Sequence, residues 1–89
     1  IIVSVQLGMQ EDSLQNLRFY PNPVTEQMTI SNGQEILSVK VYNMIGQEVL
    51  RFAPFATTFV VDLSKLSTGN YLVHLSTIDA FKTIKIVKK

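Results

Sequence analysis

The tripeptide Pro21-Asn22-Pro23 constrains this chain more than any other stretch. Neither proline has a backbone N–H to give, and each fixes its own φ. Each also pushes the residue before it, here Tyr20 and Asn22, toward extended geometry. Just upstream, apolar Leu17 and Phe19 alternate with Arg18 and Tyr20, which is strand spacing. The expected result is a strand, a stiff non-helical corner, and a second strand.

The rest of the chain continues in that style. Met28 and Ile30 face inward around Thr29, and Asn32-Gly33 reads as a turn because both residues tolerate φ > 0. From Ile36 to Asn43, Leu37, Val39 and Val41 take one face while Ser38, Lys40 and Tyr42 take the other. Met44-Ile45-Gly46 turns the chain, and Gln47 to Phe52 returns as the second arm of a hairpin, with Leu50 and Phe52 on one face and Val49 opposite. In the stretch from Thr58 to Leu63, Phe59, Val61 and Leu63 point inward. Ser64 to Gly69 reads as a loop or one helical turn with Leu66 tucked beneath it, and Gly69 as a φ > 0 position. Tyr71, Val73 and Leu75 then share a face, Asp79-Ala80 turns, and Phe81 to Val87 forms the last strand. Seven strands at spacings of about 8–12 residues, with turn signals between them, indicate an all-β fold: a seven-stranded antiparallel immunoglobulin-like β-sandwich.

Composition agrees with one small globular domain. The chain has 89 residues, 46% of them hydrophobic and 17% charged. No apolar run approaches the roughly 20 residues of a membrane-spanning helix, and no signal peptide is visible. The first residue is Ile1, so the chain reads as a fragment or processed product. With no cysteine, disulfide and thiol chemistry are excluded. A net charge of +1 gives no strong pull toward nucleic acid or anionic membrane. The domain proper is read as residues 17–89. Residues 1–16 are a lead-in: a strand over 1–7, with Ile1, Val3, Val5 and Leu7 on one side, then a polar linker over 8–16. Such a strand pairs with its own sheet or, by exchange, with a second copy, giving a homodimer.

Chemistry is hard to find. His74 is the only histidine, set in a strand beside no second ligand or base. No metal-ligand cluster, phosphate loop, nucleophile elbow or dinucleotide fingerprint is present, so no catalytic residue, metal or cofactor is assigned. Glu26, Asp62 and Asp79 read as strand-flanking or turn residues. Most of the eight aromatics, Phe81 among them, fall on alternating positions and read as core. Tyr20, Tyr42 and Phe55 are left as candidates for an exposed sugar-binding platform. Charge is uneven: Lys82, Lys85, Lys88 and Lys89 are half of the basic residues. They read either as a solvated, aggregation-resistant edge strand or as a tail that a partner recognises.

Four pieces, in this order, resemble a known module. They are Phe19-Tyr20-Pro21-Asn22-Pro23-Val24, Val39 to Val49 with its central Asn43-Met44-Ile45-Gly46-Gln47, Val61 to Tyr71 with Gly69-Asn70-Tyr71, and Ile84-Lys85-Ile86-Val87-Lys88-Lys89. The set resembles the type A C-terminal sorting domain of the type IX (Por) secretion system of Bacteroidetes. The resemblance implies a non-catalytic sorting signal at the end of a larger cargo protein. It implies passage through the periplasm and recognition of the folded module by the type IX translocon and outer-membrane shuttle proteins. A surface sortase then removes the module, cutting in the 8–16 linker, and the cargo stays at the cell surface or is released. The family motifs fall here on Pro21, Asn22, Pro23, Gly46, Gly69, Tyr71, Lys85, Lys88 and Lys89. Pro21 to Pro23, Gly46 and Gly69 also have plain structural readings as a rigid corner and two turns. Tyr71 reads equally as a core aromatic whose hydroxyl bonds the backbone, as in a tyrosine corner. The basic terminal strand is the part suited to recognition, by strand addition to a receptor. The alternative reading is an adhesion or carbohydrate-binding β-sandwich attached to an exported enzyme.

Overall fold

The computed structural model describes residue 14 and residues 16–89. The lead-in strand over 1–7, its exchange into a dimer, and most of the 8–16 linker lie outside the described residues. Among those described there are seven strands and no helix: β1 (Arg18–Tyr20), β2 (Gln27–Ile36), β3 (Ser38–Asn43), β4 (Glu48–Phe52), β5 (Ala56–Asp62), β6 (Gly69–Ser76) and β7 (Phe81–Lys88). They form a three-stranded sheet in the order β1-β2-β5 and a four-stranded sheet in the order β4-β3-β6-β7, with every strand pair antiparallel.

The two-residue period of the strands builds the core. Met28 and Ile30 of β2, Val61 of β5, Val39 and Val41 of β3, Val73 and Leu75 of β6, and Ile84 and Ile86 of β7 are all buried in one apolar cluster shared by both sheets. Each such side chain contributes about 1.5–3 kcal/mol relative to exposure. Their strand neighbours Lys40, His74 and Lys85 leave the core to the opposite face of the four-stranded sheet, where Lys40 pairs with His74 and Leu72 with Lys85.

Two flanks of the sandwich must be closed. On one flank lie the edge strands β4 and β5, joined across the sheets by Phe52 and Phe59, whose rings meet edge to face at 5.9 Å and 82°. On the other lie β1 and β7, where the chain uses backbone hydrogen bonds described below.

Four local expectations are corrected. Asn32-Gly33 is not a turn. β2 runs straight through it, with a register shift against β5 between Ser31 and Ile36. Gly33 does not take a positive φ, whereas Gly46 and Gly69 do, at 91° and 156°. Carrying the strand on delivers Ile36 to the core opposite Ala56, and the shift absorbs the mismatch. Leu14, placed in the linker by sequence, is buried in the core, with its carbonyl accepting from Leu17 N at 3.2 Å. Phe81, read as core, is exposed: it pairs with Ser76 at the strand end and lies against His74 at 5.7 Å. Lys88, read as part of an exposed basic tail, is only 6% exposed.

The loop after β5 shows how sequence sets local geometry. Asp62 Oδ1 accepts from Ser64 N at 3.0 Å, Leu66 N donates to Leu63 O at 3.0 Å, and the Tyr71 hydroxyl donates to Ser67 O at 2.7 Å. Replacing Tyr71 by Phe removes that last bond and leaves a partly buried carbonyl without its donor. Chemical denaturation is expected to show a loss of about 1 kcal/mol. The Asp62 carboxyl is held below its ordinary value of 3.8, chiefly by hydrogen bonds from the Ser64 hydroxyl and backbone. A depressed carboxylate lends stability above its unfolded-state pKa and loses it as pH falls through the folded-state value. Melting temperature should therefore fall as pH drops below 3.8, and Asp62→Asn should flatten that slope.

Candidate recognition site

Strand directions bring the motif residues to one end of the sandwich. β1, β3, β5 and β7 all end at this pole, and β2, β4 and β6 all begin there. The registers fix the relation: Tyr20 pairs with Thr29, Gln27 with Asp62, Asn43 with Tyr71, and Tyr71 with Ile86. The corner at 21–24, the β3–β4 turn, the loop at 63–68 and the end of β7 are thus neighbours in space.

The corner is bound to β7 itself. Val24 N donates to Val87 O at 2.7 Å, and Lys89 N donates to Val24 O at 2.7 Å, a parallel bridge between Val24 and Lys88. Val87 N donates to the Asn22 side-chain oxygen at 3.1 Å. Val24 is fully buried. The sequence explains the arrangement. Pro21 and Pro23 have no N–H to donate and sit exposed; the backbone groups that reach β7 are the N–H and C=O of Val24, with the Asn22 amide oxygen between the prolines as a third partner. A loop from the three-stranded sheet thereby latches the edge strand of the four-stranded sheet.

The lysines divide. Lys85 is exposed on the outer face opposite Leu72, and Lys89 is exposed beyond the strand. Lys88 lies on the inward side opposite Gly69, and its Nζ donates to Lys89 O at 2.9 Å. Gly69 therefore pairs directly with the latched segment, two residues from buried Tyr71 on the same face. Gly46 sits across the pole in the β3–β4 turn. There Asn43, which sequence reasoning did not single out as a site, does the organising. Its Oδ1 accepts from Ile45 N at 3.2 Å and Gln47 N at 2.9 Å, and its Nδ2 donates to Gln47 Oε1 at 2.9 Å. An Asn three residues before a glycine, at the end of a strand, was the available signal. Val24, quoted in the motif but not assigned a role, is the other residue missed.

Little chemistry is available around this geometry. Glu48 and Arg51 form an exposed pair, 2.7 and 3.1 Å through Nε and Nη2. The Arg51 hydrogen bond lowers the Glu48 pKa, and the pair, open to solvent, adds little to stability. His74 Nδ1 lies 3.1 Å from Thr83 Oγ1. Among the described residues no three His, Cys, Asp or Glu side chains gather as metal ligands. Tyr20 and Phe55 are both exposed, but at opposite poles, so they do not form one sugar platform.

The latch gives a local expectation. Asn22→Ala removes one acceptor at the strand end, costing about 0.5–1.5 kcal/mol. Hydrogen exchange at the Val87 amide should accelerate, while amides in the middle of β6 keep their protection. Uniform exchange at Val87 in both proteins would show that Asn22 does not hold the strand.

Comparison with known proteins adds the family. A solved structure of PorZ, an essential bacterial surface component of the type-IX secretion system of Porphyromonas gingivalis, matches this chain with a TM-score of 0.69 at 19% identity, over 90% of this chain and 12% of that one. At that identity the likeness concerns the fold, and the chain spans only a small part of PorZ's length. Curated proteins give no match. The family described as the secretion system C-terminal sorting domain matches residues 18–89, from the start of β1 through the latched end of β7. The chain belongs to that family, the C-terminal sorting domains of type IX secretion.

Proposed function

We propose that this module is a folded, non-catalytic sorting signal, and that the pole built from the 21–24 corner and the end of β7 is the surface read by the type IX machinery. The observation that carries the reading is the latch: the first family motif and the basic strand end are one hydrogen-bonded unit, joined through Asn22, Val24, Val87 and Lys89. A recognition element that depends on β7 gains from such fixation, because the strand pays less ordering entropy when a partner binds. Lys85 and Lys89, exposed on and beyond that strand, are the groups available to an acidic receptor surface. Lys88, buried, acts in shaping the strand end.

The same reading assigns the remaining parts. The sandwich is of immunoglobulin-like type, supported by its two antiparallel sheets and by the Tyr71 hydroxyl bond to Ser67 O, the geometry of a tyrosine corner. The cargo precedes the module. The chain approaches β1 from the side away from the motifs, since Asn16 lies against Gly33, Arg18 pairs with Ser31, and β1 then runs toward the corner. The chain thus arrives from the side away from the reading surface. The module passes through the periplasm, meets the translocon and shuttle proteins at the outer membrane, and is removed by a surface sortase. Leu14 is packed into the core, so the scissile bond lies before it, within residues 8–13 of the linker.

The test is a reporter directed to the periplasm of a bacterium with this secretion system and fused to residues 1–89. Deleting Val87, Lys88 and Lys89 also strips the partners from Asn22 and Val24, so it weakens the fold and the signal together. Lys85→Glu with Lys89→Glu leaves every latch bond in place. The intact module is expected to deliver the reporter to the cell surface, and the double charge reversal to reduce delivery with an unchanged melting temperature. Periplasmic retention of the intact fusion would overturn the sorting reading. Full delivery by the charge-reversed one would move recognition away from these lysines.

A further inference from the structure

We infer that the β3–β4 turn is a second, apolar contact of the recognition pole: a rigid prong whose Met44 and Ile45 side chains enter an apolar pocket of the secretion-machinery protein that receives the module. The inference rests on the sorting reading above and adds a site to it.

Exposure and rigidity coincide at this turn. Ile45 is 81% exposed and Met44 55% exposed, side by side at a turn tip, where polar residues usually stand. Their backbone is nevertheless fixed. Asn43 N donates to Gln47 O at 2.9 Å and Gly46 N donates to Asn43 O at 3.0 Å. The Asn43 side chain adds bonds to Ile45 N, Gln47 N and the Gln47 side chain. Gly46, at φ 91° with nothing within 4 Å of a Cβ position, completes the turn in the left-handed region. Neither Met44 nor Ile45 belongs to the core. Two apolar side chains are thus held out in water by a turn whose polar groups satisfy one another. An anchor of that kind binds with little further loss of freedom.

Position favours a shared footprint with the latch. β3 is separated from β7 only by β6, two interstrand spacings or roughly 10 Å. A standard protein interface, with roughly 800 Å² per partner, covers both. Continuity favours a protein occupant: the turn lies on the same pole as the latch and exposed Lys85 and Lys89, the surface assigned above to the secretion machinery, and its charged neighbour Glu48 is already paired with Arg51. Area disfavours a second copy: two such side chains per molecule fall far short of the roughly 1,000 Å² a stable interface buries.

The experiment uses the same reporter fusion carrying Met44→Ser with Ile45→Ser, which leaves Asn43, Gly46 and Gln47 intact. Ile78→Ser is the control. Ile78 is 85% exposed but lies in the β6–β7 turn at the opposite pole. Purified proteins give melting temperature, oligomeric state and binding to vesicles of anionic phospholipid. The double variant is expected to melt as the parent does and to lose surface delivery about tenfold or more, the loss of a hot-spot anchor, while Ile78→Ser delivers normally. Normal delivery by the double variant, with the intact fusion delivered, would overturn the prong and leave the sorting reading standing. Retention of the intact fusion itself would remove both. Loss of self-association or of vesicle binding in the double variant would reassign the turn to a second copy or to lipid, and would equally overturn the inference.

Discussion

The latch between the 21–24 corner and β7 is the constraint on which the motif-bearing end of this protein depends. A β-sandwich has two flanks, and an unlatched edge strand exposes a row of unpaired backbone groups. Here one flank is closed by aromatic packing between Phe52 and Phe59, which is apolar and indifferent to backbone register. The other is closed by Val24 and Asn22 on β7, which fixes register residue by residue. The strand that carries Lys82 and Lys85 and leads into Lys89 is the one whose position is specified by hydrogen bonds. That difference separates a flank that merely excludes water from one that presents a shape.

The polar layout follows from strand direction. Seven strands in two antiparallel sheets place alternate connections at alternate ends, so pieces far apart in sequence meet. The corner, the Asn43-centred turn, the loop held by Tyr71 and the end of β7 all fall at one pole. The chain reaches β1 from Asn16, which lies against Gly33 on the part of β2 away from the corner.

Much of this was legible in the sequence. The alternation at Val39 and Val41, Phe59 and Val61, and Tyr71, Val73 and Leu75 sets the inward face of three strands, because a slip of one residue would expose an entire core face. The tyrosine-corner geometry of Tyr71 follows from a buried ring with a polar tip. What was hidden depended on contacts between distant residues. Asn32-Gly33 carries a strong local turn signal, yet the burial of Ile36 beyond it requires β2 to continue. Lys88 looks like one more tail lysine, but Val24 bridges its backbone and its side chain turns inward at the sandwich end. Leu14 looks like linker because its neighbours are polar. Local pattern identified the strands, while tertiary pairing decided which pieces of the motif touch and which lysines remain free.

The most direct test of the central claim is to ask which pole meets the machinery in a secreting cell. A photo-crosslinking residue at position 89, beside the latch, can be compared with one at position 78, at the far pole, in the same cargo fusion. Capture of a secretion-machinery component is expected from position 89, and none of that component from position 78. Capture from position 78 alone would contradict that placement and put the reading surface at the far pole.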